Sequence, residues 1–211
     1  PLGMIDSVRK QSRDAGIDPA WAYGILRAES AWMTDARSSA NAYGLMQLLP
    51  AVAKKVAKSL HLHFGNASDL FDPEFNIRLG THYLAQMADA YQGSPWLASA
   101  AYNAGQAPVG RWLDARAALD PDFFIETIPY KETRDYVARV LAFSVIYDWR
   151  MNGKALSLSS RMPKIGQAYK APDANTPRKA IACPKQPVET PEPPPPEEDA
   201  ATPPAAVDTD R

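Results

Sequence analysis

Proline directly after a capping residue recurs along this chain, at Asp18-Pro19, Asp72-Pro73, Ser94-Pro95 and Asp120-Pro121, and Pro50 opens a further run. Proline has its φ already set for a helix and lacks the N–H that a first turn leaves unpaired, so each pair marks a helix start. The runs that follow carry apolar residues at helical spacing. They predict helices from Pro19 to about Trp32, Ala51 to Leu60, Pro73 to about Tyr91, Pro95 to Gly105, Val109 to Ala115, and Pro121 to about Thr127. A first helix over Met4–Ala15 ends at Gly16, and a last one over Tyr130–Met151 ends at Asn152-Gly153. The centre of the last, Tyr136–Tyr147, is apolar nearly all round and reads as the buried axis of the domain. No stretch alternates with the period of a strand, although the loop from Asp35 to Tyr43 has room for a short hairpin. The fold class is all-α.

Composition divides the chain. Residues 171–211 hold eleven of the 20 prolines and eight acids against four bases, leaving 16 acids and 19 bases elsewhere. The Pro/acid-rich stretch lacks the apolar surface to offset its ordering entropy, so we read it as a disordered tail. The alternative is a tether or a ligand for a protein partner. Residues 4–153 form the helical domain, and 154–170 an extended segment docked on it through Leu156, Leu158, Met162 and Ile165. Pro1-Leu2-Gly3 ahead of Met4 reads as a protease-cleavage scar, so a missing export signal carries no weight. The mildly basic folded part suits an anionic polymer and is too weakly charged to indicate nucleic acid. No apolar run reaches the roughly 18 residues of a transmembrane segment. The lone Cys183 has no partner within the chain. His61, His63 and His82 lack companions at ligand spacing, so we assign no metal and no cofactor.

One carboxylate stands out. Glu29 sits at the end of the apolar run Trp21, Ile25, Leu26, ahead of a loop of small and polar residues that leads to Gly44-Leu45-Met46-Gln47-Leu48-Leu49-Pro50. A carboxyl delivered by the end of an apolar helix is partly desolvated, which raises its pKa toward the range a general acid needs near neutral pH. A lone glutamate near a helix end is also commonly a solvated surface residue. Asp35 is a loop acid with nothing in its spacing to set it opposite Glu29. Gln47 is a lone amide in an apolar run and needs a partner.

Glu29-Ser30, then Gly44-Leu45-Met46-Gln47-Leu48-Leu49-Pro50, then Ala101-Tyr102-Asn103-Ala104-Gly105 occur in this order, followed by Phe124-Ile125-Glu126-Thr127-Ile128-Pro129. Over about residues 15–150 this resembles the soluble lytic transglycosylase (SLT) family, relatives of goose-type lysozyme. The resemblance implies a lysozyme-like helical domain that acts on peptidoglycan glycan strands in the periplasm or cell envelope. It implies cleavage of the MurNAc-β-1,4-GlcNAc bond without water, with Glu29 as acid and then base, leaving 1,6-anhydro ends. It further implies that Ser38 contacts the N-acetyl group, although Ser39 is adjacent and a slip of register is open. Met46 and Leu49 would form an apolar wall, Gln47 would bind the sugar, and Tyr102 would lie beside the glutamate. Glu126 would lie toward a peptide-binding part of the groove, or pair with Arg134 or Lys131. Ser30, Gly44 and Asn103 would be structural. Trp32, Tyr43, Tyr91 and Trp96 are candidates for sugar platforms or core. The competing readings are a goose-type hydrolase that uses Asp35 to hold water, and a wall-binding module without activity.

Overall fold

The computed structural model describes residues 2–180. The expected tail from 181 onward, with Cys183, lies outside the described residues.

Among the described residues, eight α-helices follow one another: α1 (Ile5–Asp14), α2 (Pro19–Ser30), α3 (Pro50–Ser59), α4 (Pro73–Ala90), α5 (Pro95–Ala104), α6 (Gln106–Arg116), α7 (Pro121–Glu126) and α8 (Lys131–Asn152). Proline occupies the first turn of α2, α3, α4, α5 and α7, as the sequence predicts. The cap side chains act in two of these. Asp18 accepts from the Ala20 N–H at 2.9 Å and Asp72 from the Phe75 N–H at 2.7 Å, each satisfying a donor that the first turn leaves free. A short 3₁₀ turn at Ala67–Phe71, capped reciprocally by Asn66 and Asp69, has no counterpart among the expected helices.

α2 and α8 form the central pair and run antiparallel: Tyr23 meets Tyr147, Gly24 meets Val140 and Ser144, and Glu29 meets Tyr136. Gly24 sets their closeness. A Cβ there would stand 2.8 Å from the Val140 carbonyl oxygen, so any side chain would force the helices apart. One face of α8, with Tyr136, Val140, Ser144 and Tyr147, is buried, while Ala138, Ala142 and Ile146 are exposed. The helix is thus central to the packing without being enclosed on all sides, because apolar residues on its outer face simply lie at the surface. Trp96 is fully buried, with its indole N–H donated to the Pro163 carbonyl, so it is core and not a platform. Tyr43 is also buried, whereas Trp32 and Tyr91 are half-buried.

Between α8 and residue 180 the chain is more ordered than composition suggests. Lys154–Ala155 (β1) pairs antiparallel with Lys179–Ala180 (β2), so residues 171–180, expected to begin the tail, return to the domain. This strap is fastened from within. Arg161 is fully buried and bonds Asp18 and Asp148, the second at 3.0 Å. Asp148 also accepts from Arg178 Nε at 2.8 Å, the Leu156 N–H at 2.8 Å and Asn152 Nδ2 at 2.8 Å. The sequence reading of docking through apolar side chains missed this buried charge, which only the paired acids of α2 and α8 make tolerable.

The expected hairpin room between Asp35 and Tyr43 is occupied by isolated bridges, Arg37 with Tyr43 and Tyr43 with Leu48. Among the described residues, no helix is long and apolar enough to cross a membrane.

Candidate active site

Glu29 lies in the last turn of α2, half-buried. The helix stops because Ala31 and Trp32 both turn left-handed, with φ of 50° and 75°. Such residues cost about 1–2 kcal/mol each outside glycine and persist only when held. They are held: Ser30 Oγ accepts from the Trp32 N–H at 3.1 Å, and the Trp32 indole donates to the Tyr147 hydroxyl at 3.0 Å. The Ser30 hydroxyl thus holds the end of the helix.

The Tyr136 hydroxyl donates to Glu29 Oε1 at 2.6 Å. Burial pushes the Glu29 carboxyl up from 4.5 to about 7. The Tyr136 bond and the Arg139 charge pull it down, while the Glu132 charge pushes it further up. Among the described residues no cation forms an ion pair with Glu29. The result is a carboxyl that holds its proton near neutral pH and has a donor ready for the anion once the proton leaves.

Tyr102 stands near Glu29, while its hydroxyl is engaged elsewhere. Its hydroxyl donates to the Met46 carbonyl at 2.8 Å and so braces the Gly44–Leu49 turn. It is close enough to Glu29 for that charge, after burial, to push the phenol well above its ordinary value. The direct hydroxyl partner of the carboxylate is Tyr136, which the sequence reading absorbed into an apolar axis. A phenol on an otherwise apolar buried face was the available signal, since a buried hydroxyl seeks a partner.

The Gly44–Leu49 turn is built around Asn76 of α4, a fully buried amide. Its Nδ2 donates to the Tyr43 and Leu70 carbonyls at 2.9 and 2.8 Å, and its Oδ1 accepts from the Met46 N–H at 2.8 Å. Gly44, at φ 72°, is required because a Cβ would meet the Leu70 oxygen at 2.1 Å and Asn76 Nδ2 at 2.4 Å. The close approach there is to the protein's own chain. Gln47, at φ 46°, donates its amide to the Ala36 and Gly44 carbonyls at 3.1 and 2.9 Å. Its donors are engaged in the loop, which leaves the amide oxygen as the group it can offer a ligand.

Met46 contradicts its expected role. Its side chain is fully buried against Gly80, so it is core, and only its backbone reaches the site. Leu49, 43% exposed, keeps a surface for an apolar wall. Ser38 Oγ accepts from the Ala42 N–H at 3.0 Å, and the hydroxyl proton stays available. Asn103 ties α5 to α8, accepting from Thr133 Oγ1 at 2.6 Å. Asp35 is exposed, and the second carboxylate whose field reaches Glu29 is Glu132, one turn before Tyr136 on α8. Glu126 forms no ion pair with Arg134 or Lys131. Arg134 donates instead to the Glu126 and Ile128 carbonyls, and Lys131 pairs with Asp135.

Residues 6–125 match the family model "Transglycosylase SLT domain", and residues 127–155 match "Soluble lytic transglycosylase helical domain". The chain belongs to the SLT family. It is 36% identical over 162 residues to a soluble lytic murein transglycosylase of Escherichia coli, covering 76% of this chain and 25% of that protein. The 70 kDa soluble lytic transglycosylase of Escherichia coli has a similar fold, with a TM-score of 0.73 and 34% identity over 80% of this chain and 27% of that one. The lytic transglycosylase Slt of Pseudomonas aeruginosa, solved as an inactive glutamate-to-glutamine mutant, superposes with a TM-score of 0.70 and 35% identity, covering 85% of this chain and 27% of its own. This SLT-family chain thus spans about a quarter of the length of these relatives.

Proposed function

We propose that this chain is a lytic transglycosylase that cleaves the MurNAc-β-1,4-GlcNAc bond of peptidoglycan in the periplasm or envelope. The observation that carries the reading is the half-buried Glu29, its carboxyl pushed up to about 7 by burial, with Tyr136 as its direct side-chain partner. Names of similar proteins and the inactive glutamine mutant of one neighbour support it.

Glu29 gives its proton to the bridging oxygen as the glycosidic bond breaks. The Tyr136 hydroxyl stabilises the carboxylate so formed. The N-acetyl carbonyl of the muramic acid shields the cationic centre, oriented by the Ser38 hydroxyl and by neighbouring contacts to Gln47 and Leu49. The C6 hydroxyl of the same sugar then attacks C1, and Glu29 takes its proton, which regenerates the acid and closes a 1,6-anhydro ring. Nucleophile and electrophile sit on one bound sugar, so proximity replaces a second activated reactant. One carboxyl is sufficient.

A hydrolase of the same bond needs a second acid to hold water, and Glu132 is the acid near enough to raise Glu29. Mass analysis of fragments released from purified peptidoglycan separates the two. Muropeptides one water lighter than reducing-end products, absent with Glu29→Gln, are expected. Reducing ends would transfer the role of water-holding base to Glu132 and overturn the lyase reading.

A further inference from the structure

A trough runs along the molecule on the side of α8 away from Glu29. Two adjoining cavities, of about 290 and 680 Å³, share Asp122, Leu158 and Met162. Phe123 and Ile125 of α7, Ala138 and Leu141 of α8, and Leu158 and Met162 of the strap form its apolar lining. At about 100° per residue, Ala138 and Leu141 lie roughly 160° and 140° round α8 from Tyr136, so the trough and the catalytic carboxyl occupy opposite faces. Phe123 is 65% exposed and Leu158 45% exposed, an apolar surface that nothing in the proposed reaction uses.

The rim carries the information about what fits. Asp122 and Glu126 line the trough and form no ion pair among the described residues, whereas Lys164 is already paired with Asp120 at 3.0 Å. Arg134 points its guanidinium at backbone carbonyls. The apolar floor is therefore edged by two unpaired carboxylates, which favour cations beside a buried apolar group. Residues 181–211 carry seven acids and two bases, so the chain's own continuation has the wrong sign. A second copy would set acid against acid. A glycan strand bearing carboxylates has the wrong sign as well.

We propose that this trough is a docking site for a segment of a separate partner protein that carries a large apolar side chain beside lysine or arginine. The apolar side chain fills the floor between Phe123 and Leu158, and the basic group meets Asp122 and Glu126. The strap supplies one wall, so the surface exists only while Arg161 holds that strap in place.

The test uses the whole chain and a fluorescein-labelled Lys-Leu-Ala-Phe-Lys peptide, read by anisotropy, beside a twin with glutamate for lysine. The lysine peptide is expected to bind, to weaken as salt rises, and to lose about tenfold or more in affinity with Phe123→Ser, Leu158→Ser or Asp122→Lys. Phe123→Ser should keep its thermal midpoint and its release of fragments from peptidoglycan. Equal binding of both peptides, or of neither, overturns the proposal. Slower fragment release by a folded Phe123→Ser variant would assign the trough to the substrate instead. Self-association abolished by Phe123→Ser would make a second copy the occupant, and faster proteolysis within residues 181–211 of that variant would make it the chain's own continuation. Either result also overturns the proposal.

Discussion

A buried pair of acids and a single half-buried one lie at opposite ends of α2, and the fold gives them different partners. At the N-terminal end, Asp18 and its neighbour Asp148 are met by the buried Arg161 guanidinium, with Arg178, a backbone N–H and an asparagine completing the shell of Asp148. At the C-terminal end, Glu29 is met by a tyrosine hydroxyl and no paired cation, and its carboxyl rises to about 7. Burial penalises every charge, and the partner decides what becomes of it. At Asp18 burial raises the carboxyl and the Arg161 guanidinium pulls it back while tying it into a fastening; at Glu29 the Tyr136 phenol only partly offsets burial and leaves the group near 7, ready to give its proton away.

The largest expected effect breaks the catalytic end. Glu29→Gln should reduce fragment release by about 10³-fold, within the range of lost acid/base catalysis. It should not destabilise the fold. The folded carboxyl has a raised pKa, so its stabilising contribution is complete below about pH 4.5 and is lost as pH rises through about 7. At pH 8 the ionised Glu29 therefore opposes folding, by up to about 3 kcal/mol, and glutamine removes that penalty. Thermal melts of both proteins at pH 5 and pH 8 should show the variant gaining only at the higher pH.

The fastening end should respond in the reverse sense. Arg161→Met leaves Asp18 and Asp148 buried without their cation and should cost about 3–5 kcal/mol in chemical denaturation at neutral pH. Removing both acids as well, in Asp18→Asn/Asp148→Asn/Arg161→Met, should recover most of that loss. A failure to recover would mean that the strap is held by packing and not by charge.

Smaller effects sharpen the comparison. Tyr136→Phe removes the donor that favours the carboxylate, so the pKa governing the alkaline limb of activity should move above about 7 while turnover falls about tenfold. Unmodified protein should lose activity as pH rises through about 7, because the first step needs the protonated acid; a limb near 4.5 would show that Glu29 is solvated after all. Gly24→Ala sets a Cβ against the Val140 oxygen and should cost about 1–3 kcal/mol, with some loss of activity as Tyr136 is displaced from Glu29.

Much of this architecture is written locally. Proline after a capping residue sets a helix start whatever surrounds it, since it acts through φ and a missing N–H; four helices begin where those pairs stand and a fifth at Pro50. Glu29 was singled out by its company, since an acid at the end of an apolar run is as readily solvated and only the Gly44–Pro50 and Ala101–Gly105 motifs that follow it mark it as a site. Tyr136 and Asn76 were not. Each works through a partner far along the chain, the carboxylate 107 residues away and the Met46 N–H 30 residues away. Their polar atoms look misplaced on apolar helix faces until packing supplies those partners. Met46 failed for the related reason that only packing shows which side of a turn faces Gly80 and which faces the groove. Arg161 is the clearest case. Composition marks it as a surface cation in an irregular stretch, and nothing local predicts full burial. The sequence by itself determined the helices, their starts and the acid at the end of α2, because those depend on residues within a turn or two. Only the tertiary structure decided which acid meets a guanidinium and which a phenol, because each partner comes from a distant part of the chain.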